Sequence, residues 1–325
     1  MANIRIQNIT EASREKWLST AKACPYATYF HTPYWYDIIA PNQNHTALEI
    51  TFDDGASAII PIAKIKRAGG LLVDNFSSPG GTYGGWVSTS PLNEEHVKIL
   101  ANLLVSKKNL TFRINPFDNS AAWLKVDGFT QDYTYALDLT LGENELYSRS
   151  NRGHKEKLRK AVRNGISVRQ AQSWQECEQY YALYLESVDR WVSRELKPRA
   201  VYPLEFFRRL YDGKTEREIL WLALKGEEVI AGMLCFYWNK HAVGWHASAS
   251  ARHFVHGPNN LLYWEIIIDA ARRGFEIFDC NPSGGYGGVE SFKEHLGAVK
   301  TPAPVLYTKT PLRLLITRLR GCFKT

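Results

Sequence analysis

The sequence predicts a mixed α/β (α+β) fold present twice in tandem. Three observations carry this. The chain has 325 residues, 45% of them apolar, with ten Trp and seventeen Tyr, enough for two large cores rather than one. One order of elements occurs twice: helices, three strand-like runs, a helix and a further strand. The two glycine-rich loops echo each other, SPGGTYGGW at 78–86 against NPSGGYGGV at 281–289. The period is too long for a solenoid repeat and reads as one unit used twice. The expected division is 1–140 for the first unit and 141–300 for the second, with 301–325 folding back to complete the first.

In the first unit, Thr10 is placed to cap a helix through Trp17, Leu18 and Ala21. Thr32-Pro33 opens another, with Trp35, Ile38 and Ile39 on one face, and Pro41 stops it. ALEITF, ASAIIPIAKIK and LLVDNF are strand-like, separated by Asp53-Asp54-Gly55 and Ala68-Gly69-Gly70. Asn93 caps an amphipathic helix with Val97, Leu100, Ala101 and Leu104 on one face. LTFRI and YALDLT are further strands.

In the second unit, Ser173 and Glu176 form a capping box for a helix through Tyr180, Tyr184 and Val188. ILWLAL, VIAGMLCFYW and AVGWHAS follow, separated by Lys225-Gly226 and Asn239-Lys240. Pro258 suits the first turn of a helix that is apolar on nearly every side, so that helix is buried. Gly274 ends it. EIFDC is a short buried strand that places Asp279 at its carboxyl end, where α/β sheets keep their sites. A glycine-rich turn over Pro282–Gly288 leads to Ser291-Phe292-Lys293-Glu294 and Leu296-Gly297.

This helix–strand–loop–FKxxxG order resembles the Fem family of peptidoglycan-bridge aminoacyl transferases within the GNAT N-acyltransferase superfamily. So does an upstream patch: Tyr147-Ser148, Arg152 and KLRKAVRNGISV at 157–168. The resemblance covers 145–300, about half the chain. It implies tandem GNAT-like domains, each a mostly antiparallel mixed sheet flanked by helices, and amide formation on an amine acceptor. It places Lys293, beside Phe292, at the transfer step, Arg152 at a phosphate, and Trp35 and Tyr36 where acceptor binding begins. A lysine that the family carries after that tryptophan is replaced by Asp37-Ile38-Ile39, a departure that bears on a UDP-muramyl-peptide acceptor.

Amide formation needs an activated carbonyl, a neutral amine and stabilisation of the developing oxyanion. An ammonium such as Lys293 supplies the last, or holds a donor phosphate or ribose. Phe292 either stacks on a base or packs in the core. Asp279 is a candidate base or a turn cap; His246, on a strand, is a substrate contact, a base or a core histidine. Tyr83 in the first glycine loop and Asn259 at the helix start are further substrate-binding candidates. No metal is expected: the nine His are dispersed, with no H-x-x-x-H and no paired Cys. No cofactor is expected to be tightly bound.

Two donors compete. An acetyl-CoA GNAT domain holds the pyrophosphate on a glycine-rich loop; here that place reads RHFVHGP at 252–258, with one glycine and a proline. Seven cations, Arg149, Arg152, Lys155, Lys157, Arg159, Lys160 and Arg163, surround the single acid Glu156 and suit a polyphosphate. Aminoacyl-tRNA is the favoured donor, acyl-CoA the alternative. A tandem scaffold binding RNA or a phosphorylated ligand without catalysis is a third reading. The net charge of +7 agrees with an anionic partner. The five scattered cysteines and an N-terminus without a basic–apolar leader suggest a cytoplasmic protein. The amphipathic segment 311–325 is either a peripheral membrane contact, near a peptidoglycan-precursor or other lipid-linked acceptor, or a packed terminal helix.

Overall fold

The meander expected between residues 47 and 76 forms the centre of a seven-stranded sheet. In the computed structural model, residues 4–41, 44–77, 79–124, 128–193, 201–213, 215–308 and 310 are described; the segment 311–325 lies outside them. The described residues divide into two units, one up to Tyr133 and again from Pro302, the other Thr134–Thr301.

The first unit runs β1 (Ile6–Glu11), α1 (Arg14–Ala23), α2 (Pro33–Ile39), β2 (Asn44–Phe52), β3 (Ser57–Arg67), β4 (Leu72–Phe76), α3 (Glu94–Ser106), β5 (Leu110–Arg113) and β6 (Phe129–Thr130). The late strand β14 (Val305–Tyr307) enters the same sheet, in the order β1-β2-β3-β4-β5-β14-β6. Most of β3 is buried on both faces, as expected of a central strand covered by helices on either side. Val97, Leu100 and Leu104 of the apolar stripe of α3 pack with Ile60, Ile62 and Phe112 in one core. Deleting a buried leucine there costs about 2–5 kcal/mol.

Thr10 is not a helix cap. Residues 6–11 form a strand, with Thr10 opposite Glu49. The cap is Ser13, whose Oγ accepts from the Lys16 amide at 3.1 Å. Asn93 accepts from the amides of Glu95 and His96, as the sequence suggests.

The second unit runs β7 (Tyr133–Asp138), α4 (Gly142–Arg149), α5 (Arg152–Arg163), β8 (Ile166–Gln170), α6 (Trp174–Ser193), α7 (Leu204–Asp212), β9 (Glu218–Lys225), β10 (Glu228–Trp238), β11 (His241–Ala249), α8 (Pro258–Arg272), β12 (Ile277–Asp279), α9 (Gly287–His295) and β13 (Val299–Pro302). Its sheet order is β13-β7-β12-β11-β10-β9-β8. α8 is buried along most of its length, and Gly274, at φ +85°, follows its end.

From β1 in the first unit and from β8 in the second, the two paths match. Each goes strand, two helices, three antiparallel strands, helix, then a strand parallel to the last of the three. β5 lies parallel to β4, and β12 lies parallel to β11. Each of these strands then meets an antiparallel neighbour, β14 on β5 and β7 on β12. The two glycine-rich loops, alike in sequence, stand at different places in the matched path: the first follows β4, before α3, and the second follows β12, after α8. The strand YALDLT, expected to end the first unit, stands in the second sheet beside β12, because its backbone partners are Ile277–Asp279.

Candidate active site

β11 and β12 stay together for only three pairs, His241↔Ile277 to Val243↔Asp279. β11 then continues to Ala249, while the chain after Asp279 leans to the other side and the Cys280 amide donates to the Tyr135 carbonyl at 2.8 Å. The register of β11 on β10 slips between Gly244 and His246, so Trp245 is an inserted bulge residue. The two parallel strands therefore splay at their carboxyl ends, where an open sheet admits a ligand.

Asp279, Asn281 and Lys293 converge on one side of this splay. Asp279 is fully buried; its Oδ1 accepts from Thr134 Oγ1 at 2.5 Å and from the Asn281 amide at 2.9 Å. It thus caps the turn after β12. Asn281 takes a left-handed φ of +60°. Lys293 lies within α9 and is 3% exposed. Its Nζ donates to the Asn281 carbonyl at 2.5 Å and stands 5.7 Å from the centre of the Tyr135 ring. Burial lowers its pKa, and Cys280, Asp279 and Glu290 oppose that shift. An ammonium has three N–H donors, so two remain beyond the one given to Asn281. Phe292 packs edge-on against Tyr263 of α8 at 5.0 Å, a core contact.

Helix α5 lies against the start of α8. Gly257, the residue before Pro258, has φ +74°, and a Cβ on it would sit 2.8 Å from the Lys157 carbonyl. Only glycine meets both conditions. Asn260 Nδ2 and the buried His154 Nδ1 are 2.8 Å apart. Desolvation drives His154 down to about 4, with His295, Lys157 and Lys155 adding to the shift. The preceding residues 251–256 form a 3-10 turn. The amides of His253 and Gly257 are spent on the carbonyls of Ser250 and Phe254. Asn259 is partly buried at the second position of α8.

The outer face of α5 is cationic. Arg152 opens the helix, is 93% exposed, and pairs with Glu156 at 2.8 Å. Arg159 donates to the Tyr147 hydroxyl at 3.0 Å, and Lys155 to the Ser148 carbonyl at 2.9 Å. Lys157, Lys160 and Arg163 are exposed and have no carboxylate partner among the described residues.

His246 follows the bulge on β11. Its Nδ1 is 2.6 Å from the Tyr180 hydroxyl, and its ring packs against Tyr184 at 4.6 Å and Trp245 at 5.4 Å. Desolvation among these rings lowers its pKa to about 4.

Residues 148–294 match the family model described as an acetyltransferase (GNAT) domain. The second unit is a GNAT domain. The chain therefore carries an N-acyltransferase domain. No curated protein matches the sequence significantly. Among solved structures the chain is similar to FemX, at 12% identity and TM-score 0.69, covering 95% of this chain and 100% of that one. It is similar to the C-terminal domain of a putative lysylphosphatidylglycerol synthetase from Agrobacterium fabrum, at 12% identity and TM-score 0.52, over 93% and 95% of the two chains. It is also similar to L-PGS from Bacillus licheniformis, at 15% identity and TM-score 0.53, over 84% and 88%. At these identities the likeness is one of fold, and it extends beyond the GNAT domain to both units.

Trp35, Tyr36 and Tyr83 belong to the first unit, and all three are fully buried. Trp35 packs on Phe30 at 4.9 Å, the Tyr36 hydroxyl donates to the Ser77 carbonyl at 2.5 Å, and Tyr83 meets Phe30 at 5.3 Å. They form core rather than a surface open to substrate, because aromatic rings on a short helix and its facing loop close on each other. Asp37, in the stretch after Trp35, pairs with Arg14 at 2.6 Å. Within the second unit, the sequence gives no sign that Thr134 and Tyr180 hold candidate site residues. Thr134 and Tyr180 contact Asp279 and His246 across 145 and 66 residues of chain; no local pattern records such pairs. Among the described residues no three His, Cys, Asp or Glu side chains cluster as metal ligands, and no helix is long and apolar enough to cross a membrane.

Proposed function

We propose that this protein is a Fem-like N-acyltransferase that moves an aminoacyl group from aminoacyl-tRNA to an amine acceptor. The observation that carries the choice of donor is the packing of α5 on Gly257. The place where a CoA-dependent domain would open a glycine-rich phosphate loop is met by the Lys157 backbone, and the amides around it serve their own turn. The helix that closes it presents Lys157, Lys160 and Arg163 outward, a face suited to the many phosphates of a tRNA arm.

In this reading the donor ester lies in the splay between β11 and β12. The free N–H groups of Lys293 stabilise negative charge on its carbonyl oxygen, and the Asp279–Asn281 turn holds Lys293 in place. The similarity to FemX and to the lysylphosphatidylglycerol synthetase domain supports an acceptor in the cell envelope, such as a peptidoglycan precursor or a lipid-linked amine, met at the cytoplasmic face of the membrane. Arg152 contributes a phosphate contact, and Asn259 lines the start of α8. The second reading, an acyl-CoA donor, is favoured by the family model's description as an acetyltransferase.

One experiment separates them. The protein is incubated with cell extract, labelled amino acids and candidate amines, with and without RNase, and then with purified acyl-CoA. RNase-sensitive labelling supports the tRNA reading. RNase-insensitive transfer from acyl-CoA replaces it with the second. Binding of RNA with no transfer from either donor leaves a non-catalytic scaffold.

A further inference from the structure

The GNAT domain holds a histidine whose Nδ1 and carbonyl both meet one phenol. The Tyr180 hydroxyl lies 2.8 Å from the His246 carbonyl, to which it donates, and 2.6 Å from Nδ1 of the same residue. A phenol has one proton. If that proton serves the carbonyl, the short contact to Nδ1 is made by an Nδ1–H donating to the phenol oxygen. Nε2 then carries a lone pair. It has no hydrogen-bond partner among the described residues and is not one of the enclosed polar atoms, and the residue is partly exposed.

The surroundings are built to keep this arrangement. Tyr180 is fully buried and rests on β10 at Gly232, where a Cβ would come within 2.5 Å of its ring. Tyr184, Phe207 and Trp245 hold the imidazole from other sides. The ring also stands on the relevant face. Phe278 meets Tyr263 of α8, so Asp279, its neighbour along the strand, points to the opposite face. That is the face on which Tyr180 and Phe207, from α6 and α7, meet His246. His246 lies past the last β11 pair with β12, on the opposite side of the splay from Asn281 and Lys293.

We propose that His246 takes the proton from the attacking amine through Nε2, and that Tyr180 is the positioning residue that fixes the tautomer. This rests on the acyl-transfer reading above and adds the proton acceptor that reading lacks. The neutral amine attacks the ester carbonyl, and the C–N bond forms as the carbonyl oxygen takes negative charge. The nitrogen, now cationic, gives a proton to Nε2. The C–O bond to the leaving group breaks, and the imidazolium returns that proton to the leaving oxygen. Amide and free hydroxyl result, with no net proton change. The titratable groups facing the ring are the phenols of Tyr180, Tyr184 and Tyr202. Desolvation is the cause of its lowered pKa, so the ring is neutral at neutral pH.

The test has two arms on the full chain. Nitrogen NMR of 15N-histidine-labelled protein reads the tautomer without substrate. The Nδ1–H form is expected in the wild type, with conversion toward Nε2–H in Tyr180→Phe. Turnover is read with the amine fraction of cell extract as acceptor and the donor found active above. His246→Gln is expected to lower kcat by about 100-fold or more, and Tyr180→Phe by about 10-fold with KM unchanged. An Nε2–H tautomer in the wild type, or wild-type turnover in His246→Gln, overturns the proposal alone. No transfer by the wild type from either donor overturns the acyl-transfer reading, and this proposal with it.

Discussion

Lys293 Nζ and the Asn281 carbonyl are 2.5 Å apart inside the GNAT domain. This contact ties helix α9 to the turn that ends β12. In the function proposed above, the same lysine has a second duty: its other N–H groups serve the reacting carbonyl. Replacement by Met tests both. The Asn281 carbonyl loses its donor in a buried site, which costs about 1–3 kcal/mol. Loss of one transition-state donor lowers turnover by about 100- to 1,000-fold. Urea unfolding and single-turnover kinetics separate the two effects. Full turnover in a folded Lys293→Met protein would remove Lys293 from the chemistry.

A second prediction concerns Gly257. Its φ of +74° and the 2.8 Å approach of the Lys157 carbonyl both exclude a Cβ. The left-handed conformation alone costs a non-glycine residue about 1–2 kcal/mol, and the clash with α5 adds to it. Gly257→Ala should lower the urea midpoint by more than Gly226→Ala does. Gly226 also has positive φ, +63°, but nothing stands near it. Equal losses in the two variants would show that α5 yields at no cost.

How much of this was legible in the chain differs by element. The repeated order of strands and helices followed from alternation and turn residues, and the Asn93 cap and Gly274 stop from local chemistry. Asp279 was correctly set at a strand end because EIFDC is short and apolar. The helix that carries Lys293 is hidden in the sequence because Gly284, Gly285, Gly287 and Gly288 have the composition of a turn, whereas α9 starts at Gly287. The burial of Lys293 depends on Tyr135, far away in sequence. Thr10 has the chemistry of a cap, but the weakly alternating IQNITE is held as a strand by pairing with β2, and the cap falls to Ser13.

Acid stability offers a third prediction. His31, His154 and His246 are each pushed by desolvation to about 4, against an ordinary value near 6.5. The unfolded chain therefore binds more protons than the folded one between these values. The stability these groups confer is complete above about pH 6.5 and is lost as pH falls toward 4. Each contributes a loss of about 1–2 kcal/mol by pH 5. Urea midpoints measured at pH 7, 6 and 5 should fall steadily, and His154→Gln should flatten the slope. A midpoint unchanged over this range would mean that these rings titrate normally.

The last prediction concerns the cationic face of α5. Lys157, Lys160 and Arg163 are exposed, and the buried side of the helix rests on His154, Leu158 and Ala161. Converting the three cations to Gln therefore leaves the packing surface intact and should change stability by less than about 0.5 kcal/mol. If the face tracks a tRNA backbone, each lost charge removes a phosphate contact and the counterion release that accompanies it. The slope of log affinity against log salt should then shrink by about 0.7–0.9 per charge, and binding at low salt should weaken regardless of tRNA sequence. Filter binding of total tRNA across a salt series reads both quantities. A triple variant with the wild-type slope would place the RNA elsewhere or leave the protein without an RNA partner. Acyl transfer that survives in that variant with acyl-CoA would then favour the CoA reading on independent grounds.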